Sequence, residues 1–273
     1  MGLFGSKEDS EDIMYHAISL MEKNQPKGAI VLFSKVLKRD SKNTLALYNK
    51  GLALNQIKKY SDAITCFDLL LEINPNDASA INNKGIAMAE IGNIQGASEC
   101  YDMAIKADPK YGPSYFNKGV LLDKLQEHEE ALSYLDKAIS IEPRKPNALF
   151  YKGIILGKLK KHEEALNCFE NVYKKYPSHI DALFHIGIEF AELENHKKAL
   201  EIFEQILSNH KDNVNVIYAK SRSKSALGEF PESLDLLKKA ISLNPKTIRA
   251  WAKEEKIFEK LHNNEQFRRL VKL

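Results

Sequence analysis

The sequence of 273 residues predicts an all-α array of stacked antiparallel helical hairpins. Three independent residue types carry the prediction. Gly51, Gly85, Gly119, Gly153 and Gly187 recur every 34 residues, and Ala17 and Ser221 extend the same phase in both directions. Twelve residues after each stands a second small residue: Ala29, Ala63, Ala97, Ala131, Ala165, Ala199 and Ser233. Pro75, Pro109, Pro143, Pro177 and Pro245 keep the same interval, with Ser41 and Lys211 at the two interrupted positions. Self-similarity at such a period is the signature of a solenoid.

Residues 78–111 show how one unit works. Ile81, Gly85 and Met88 fall on one face of a helix, and Ala97, Tyr101 and Ala104 repeat that spacing in a second. Gly92-Asn93-Ile94 between them carries turn chemistry, and Pro109 stops the second helix. A mid-helix glycine costs about 1 kcal/mol relative to alanine, so a phased series of them needs a packing reason. The alanine twelve residues on is the expected one, two antiparallel helices crossing closely where both lack bulk. One hairpin cannot cover its own apolar faces, so neighbours must stack.

Along the chain the expected order is a flexible tail over 1–9, seven units (10–43, 44–77, 78–111, 112–145, 146–179, 180–213 and 214–247) and capping helices over 248–273. Ser10 is the expected first helix cap. In the capping segment Glu255 and Phe267 stand where close packing wants Gly and Ala, so no standard hairpin is expected there. The missing proline at Lys211 and the Ser221/Ser233 pair both predict looser packing. Met1–Ser6 fits an N-myristoylation pattern, although Lys7 is followed by Glu8, Asp9, Glu11 and Asp12 and one acyl chain anchors only marginally.

Composition narrows the setting. The net charge of +3 argues against nucleic acid as the main partner. No apolar run approaches the ~20 residues of a membrane span, and none near the N-terminus serves as a secretory core. Three scattered cysteines suit a reducing cytoplasm.

The pattern Ile81, Gly85, Ala97, Tyr101, Ala104 and Pro109 resembles the tetratricopeptide repeat, and the resemblance covers all seven units. It implies a right-handed superhelical α-solenoid acting as a non-catalytic protein-interaction scaffold. It also implies that the first helix of each hairpin lines a concave groove. The fifth position of the units reads Met14, Tyr48, Asn82, Phe116, Phe150, Phe184 and Tyr218. The ninth reads Ile18, Leu52, Ile86, Val120, Ile154, Ile188 and then Arg222. The sixth carries Asn49, Asn83 and Asn117, followed by Tyr151 and His185. This apolar row either anchors a partner peptide or helix or packs between neighbouring hairpins. The asparagines either pair with a peptide backbone or reflect the family's ordinary usage. The carboxylate clamp of chaperone-binding members needs Lys and Asn at the fifth and ninth positions, so that ligand is not expected.

The seventh position holds Lys50, Lys84, Lys118, Lys152 and Lys220. Their methylenes can lie on apolar surface with the charge in water, or the row can meet an acidic partner. The excess of base, thirteen Lys/Arg against seven Asp/Glu in 214–273, points the same way at the C-terminal end. His128, His162 and His196 share one phase but are a helix spacing apart, too far to converge on one metal ion. His162-Glu163-Glu164 lacks the second histidine of a zinc-protease motif, Leu166 standing in its place. Cys66, Cys100 and Cys168 read as buried apolar side chains. With no phosphate-binding loop or nucleophile motif, the sequence predicts no enzyme, no cofactor and no metal. A self-assembling array and a membrane-tethered adaptor using a lipidated N-terminus are the alternative functions.

Overall fold

The computed structural model describes residues 9–272. The acylation motif at Met1–Ser6 and the rest of the tail up to Glu8 lie outside these residues. Among the described residues all regular structure is helical. The chain divides into two compact units, one ending at Arg144 and the other starting at Lys145. The first holds α1 (Ser10–Glu22), α2 (Pro26–Arg39), α3 (Thr44–Gln56), α4 (Tyr60–Ile73), α5 (Ala78–Glu90), α6 (Ile94–Ala107), α7 (Gly112–Lys124) and α8 (His128–Ile141). The second holds α9 (Pro146–Lys158), α10 (His162–Lys175), α11 (Ile180–Glu192), α12 (His196–Asn209), α13 (Val214–Ala226) and α14 (Phe230–Leu243). It closes with α15 (Pro245–Glu254), a 3-10 helix (Lys256–Leu261) and α16 (Glu265–Val271).

Side-chain caps begin many of these helices. The Asn43, Asp77, His179 and Asn213 side chains accept backbone N–H bonds from the first turns of α3, α5, α11 and α13. The first cap is Asp9, not Ser10: its carboxylate accepts the Ser10 N–H at 2.5 Å. Aspartate caps as well as serine and places a charge at the positive end of the helix. Each turn from a first to a second helix passes through one left-handed residue: Asn24, Lys58, Gly92, Gln126, Lys160, Glu194 and Gly228. The next N–H then reaches back over the helix end, as from Gln25 to the Leu20 carbonyl at 2.8 Å and from Asn93 to Met88 at 2.9 Å. Helix α12 stops in register with the others despite Lys211, so this turn does not depend on proline.

The phased glycines face a partner other than the expected alanine. A Cβ on Gly51 would lie 2.6 Å from the Phe67 ring, on Gly85 2.7 Å from Tyr101, on Gly153 2.7 Å from Phe169 and on Gly187 2.5 Å from Phe203. These rings sit sixteen residues beyond each glycine, one helical turn past the small residue. The alanines are fully buried at the same crossings, so they let the backbones approach while the ring seals the glycine face. At Ser221 and Ser233 the expected looseness is absent. Both are fully buried; the Ser221 hydroxyl donates to the Ser233 carbonyl at 2.8 Å and the Ser233 hydroxyl to the Ser221 carbonyl at 2.9 Å. Reciprocal bonds satisfy two polar groups that would otherwise cost about 1–3 kcal/mol each to bury.

Lysines at the seventh position clasp neighbouring hairpins. Lys84 meets Asp68 at 2.6 Å, Lys118 meets Asp102 at 2.8 Å and Lys220 meets Glu204 at 3.1 Å. Each acid lies sixteen residues earlier, on the second helix of the preceding hairpin. These three charges are therefore spent inside the chain and are not a free row for an acidic partner. Part of the C-terminal basic excess is spent likewise, through Arg222 with Glu192 and Glu255, Lys224 with Glu229, and Lys239 with Asp212.

Candidate peptide-binding faces

In the first unit, Tyr48, Asn49 and Leu52 on α3, Asn82, Asn83 and Ile86 on α5, and Phe116, Asn117 and Val120 on α7 occupy equivalent positions of successive first helices. All are half-buried except Asn82, which is 2% exposed. None is an open apolar side chain of the kind that Tyr15 or Leu45 presents. The Tyr48 hydroxyl bonds the Ser79 hydroxyl at 2.6 Å, and its ring meets Phe67 edge-on. The asparagines are partly engaged: Asn49 donates to the Leu45 carbonyl at 2.9 Å and Asn83 to the Ser79 carbonyl at 2.8 Å. Asn117 donates to the Asn82 side-chain oxygen at 2.9 Å, so Asn82 links α5 to α7. An amide has two donors and a two-lone-pair oxygen, which leaves Asn49 and Asn117 further hydrogen-bonding capacity.

In the second unit the corresponding face is aromatic. Phe150, Tyr151 and Ile154 lie on α9, and Phe184, His185 and Ile188 on α11, all half-buried. Phe150 packs at 5.4 Å on Phe169, 4.8 Å from His179 and 5.4 Å from His185, centroid to centroid. His185 stacks on Phe169 at 4.8 Å and meets Phe184 edge-on at 5.6 Å; Phe184 tilts against Phe203 at 6.1 Å. Residues of the two readings, ligand anchor and inter-hairpin packing, are thus the same residues: the rings pack on their neighbours and remain half-buried.

Burial holds the His185 imidazole below its ordinary value, Asp181 opposing and His179 reinforcing the shift. The unfolded chain then binds more protons than the folded one as pH falls below about 6.5, so acidification destabilises this unit. Thermal melts at pH 7.5 and 5.5 should show a larger fall in Tm for the wild type than for His185→Phe, which keeps a ring in the stack. Equal falls would remove His185 as the cause.

The aromatic face ends in polar groups. Arg222 on α13 takes the position of the preceding aliphatic residues and lies 3.4 Å from Glu192 and 2.6 Å from Glu255. Beside it a cavity of about 230 Å³ is bordered by His196 and Ser223, whose Nδ1 and Oγ have no protein partner. The other two phased histidines hook acids, His128 to Asp123 at 3.0 Å and His162 to Glu189 at 2.8 Å. Glu189 is 4% exposed, and burial pushes its carboxyl up while His162 pulls it down. Among the described residues no three His, Cys, Asp or Glu side chains gather as a metal site, no helix is long and apolar enough to cross a membrane, and Cys66, Cys100 and Cys168 are buried. The acids that hold the lysines and histidines escaped sequence reading, although Asp68, Asp102 and Glu204 share the 34-residue phase.

Residues 15–115 and 121–223 match the family profile described as the N-terminal TPR repeats region of Psidin, and residues 100–133 match a tetratricopeptide repeat profile. These stretches span well over half of the chain, which belongs to the tetratricopeptide repeat family. No curated protein matches it. Among solved structures, it is similar to PilW, a type IV pilus biogenesis factor, at 23% identity and TM-score 0.67, covering 74% of this chain and 94% of that one. A tetratricopeptide repeat protein from Parabacteroides merdae aligns over 89% of this chain and 97% of its own, at 16% identity and TM-score 0.65. YrrB, a TPR protein with an unusual peptide-binding site, is 26% identical over 69% of this chain and 97% of its own, with TM-score 0.54.

Proposed function

We propose that the protein is a non-catalytic scaffold that binds a partner peptide on the first-helix faces. The aromatic cluster of the second unit is the anchor, because Phe150, Phe184 and His185 form one connected patch of rings held from behind by Phe169 and Phe203. Rigid aromatic side chains offer large contact area at small entropic cost. On the first unit's own face, Asn49 and Asn117 offer amide groups that can pair with a peptide backbone. Family membership and the peptide-binding site named for YrrB support this reading.

Peptides selected from a random display library on the immobilised wild type provide the test. Phe150→Ala/Phe184→Ala should weaken their binding by about a hundredfold, the loss of two anchors of roughly 1–2 kcal/mol each. Circular dichroism establishes that the helices are retained. Unchanged affinity in a folded variant would sink the proposal.

A further inference from the structure

Lys50 breaks the pattern of the lysines in the first unit. Lys84 and Lys118 each meet an aspartate of the preceding hairpin, Asp68 at 2.6 Å and Asp102 at 2.8 Å. The residue sixteen positions before Lys50 is Ser34, and its hydroxyl donates back along its own helix to the Ile30 carbonyl at 2.7 Å. Among the described residues no carboxylate pairs with Lys50.

Lys50 is half-buried. It borders a crevice of about 490 Å³ with Leu47 and Leu54 of α3, Ile30 and Leu37 of α2, and Leu69 of α4, and with the polar Ser34, Ser41 and Thr65 among them. That volume lies in the range of small-molecule sites. Lys59 and Asp62 at its border lie 3.9 Å from each other and are both mostly exposed. Helical spacing puts Leu47, Lys50 and Leu54 on the side of α3 away from Tyr48, Asn49 and Leu52, so the crevice is separate from the peptide-binding face and stands or falls independently of it.

We propose that this crevice binds an aliphatic carboxylate. Its head group takes on Lys50 the place that Asp68 and Asp102 take on Lys84 and Lys118, and its hydrocarbon body lies along the Ile and Leu side chains. The chain itself shows three times, on Lys84, Lys118 and Lys220, that a carboxylate fits this position on a lysine. A charge-assisted bond in partly desolvated surroundings is stronger than in water. One cation without a carboxylate partner, with Ile30, Leu37 and Leu69 beside it, fits a single-headed amphiphile better than an acidic peptide with several charges.

The test is calorimetric titration of the full chain with decanoate. Saturable binding is expected, weakened about tenfold or more by Lys50→Met, by Ser34→Asp, and by replacing decanoate with decanol. Ser34→Ala should bind as the wild type does. Ser34→Asp is the decisive variant, because it installs the internal carboxylate that the next two hairpins already use and therefore keeps the fold. Absence of saturable binding overturns the proposal, as does equal binding by wild type, Lys50→Met and Ser34→Asp. An acidic peptide that binds in a Ser34→Asp-sensitive way while decanoate fails to bind overturns it too.

Discussion

Phe203→Ala is expected to lower the stability of the second unit by about 3–5 kcal/mol, the usual cost of emptying a buried phenylalanine site. Phe203 is fully buried on α12. One part of its ring covers Gly187 and another tilts against Phe184. Glycine has no side chain with which to fill the space left behind, so the cavity cannot collapse from that side. Gly187→Ala alone should cost about 1–3 kcal/mol by overpacking, although alanine is the better helix former by about 1 kcal/mol. The clash decides the sign, since the new Cβ would lie 2.5 Å from the ring. Combining Gly187→Ala with Phe203→Leu should recover much of the loss. The Gly119–Leu135 pair already shows a leucine at that place with a longer approach of 3.0 Å. Urea unfolding followed by circular dichroism gives the three energies. Strict additivity of the two substitutions would mean that the ring does not impose the glycine.

The helices were legible because Gly, Ala and Pro report on backbone constraints that act within a few residues. The same phase that spaces Gly51 through Gly187 sets where α3, α5, α7, α9 and α11 begin and end. What each constraint acts against was less legible. Ala97 was the nearer candidate partner for Gly85, but the Tyr101 ring one turn on makes the closest approach. Ser221 with Ser233 suggested slack because sequence counts hydroxyls and not the carbonyls they reach. The lysine clasps depend on which helix of one hairpin faces the first helix of the next. Local periodicity is silent on that, even though Asp68, Asp102 and Glu204 each precede their lysine by the same interval. For the candidate peptide faces, helical spacing identified the face but not its depth. Asn82 carries the expected phase and is buried, because Ser114 and Asn117 of α7 use its oxygen as an acceptor.

Asp102→Asn should destabilise the first unit by about 1.5–3 kcal/mol, the range for losing a hydrogen bond to a charged group, and by more than Asp68→Asn does. The two clasps have the same chemistry and differ in burial. The Lys118 side chain is 8% exposed, against 24% for Lys84. The Lys118 ammonium also donates to the Ser98 hydroxyl at 2.6 Å and lies 5.9 Å from the centre of the Tyr134 ring. Without the Asp102 carboxylate, itself 55% exposed, this cation keeps only neutral partners around a lysine side chain that is largely buried. Lys84 can turn its charge to solvent, so losing Asp68 should cost no more than about 1 kcal/mol, as for exposed pairs. Lys118→Met removes the charge and keeps a flexible apolar chain, and should cost less than Asp102→Asn. In the Lys118→Met background Asp102→Asn should be nearly silent, because the group it would strand is gone. Urea unfolding of the four variants in low and high salt separates the explanations. Equal costs for Asp68→Asn and Asp102→Asn, both erased by salt, would show that screened surface attraction holds these hairpins together; a larger, salt-resistant cost at Asp102 would show that desolvation of Lys118 does.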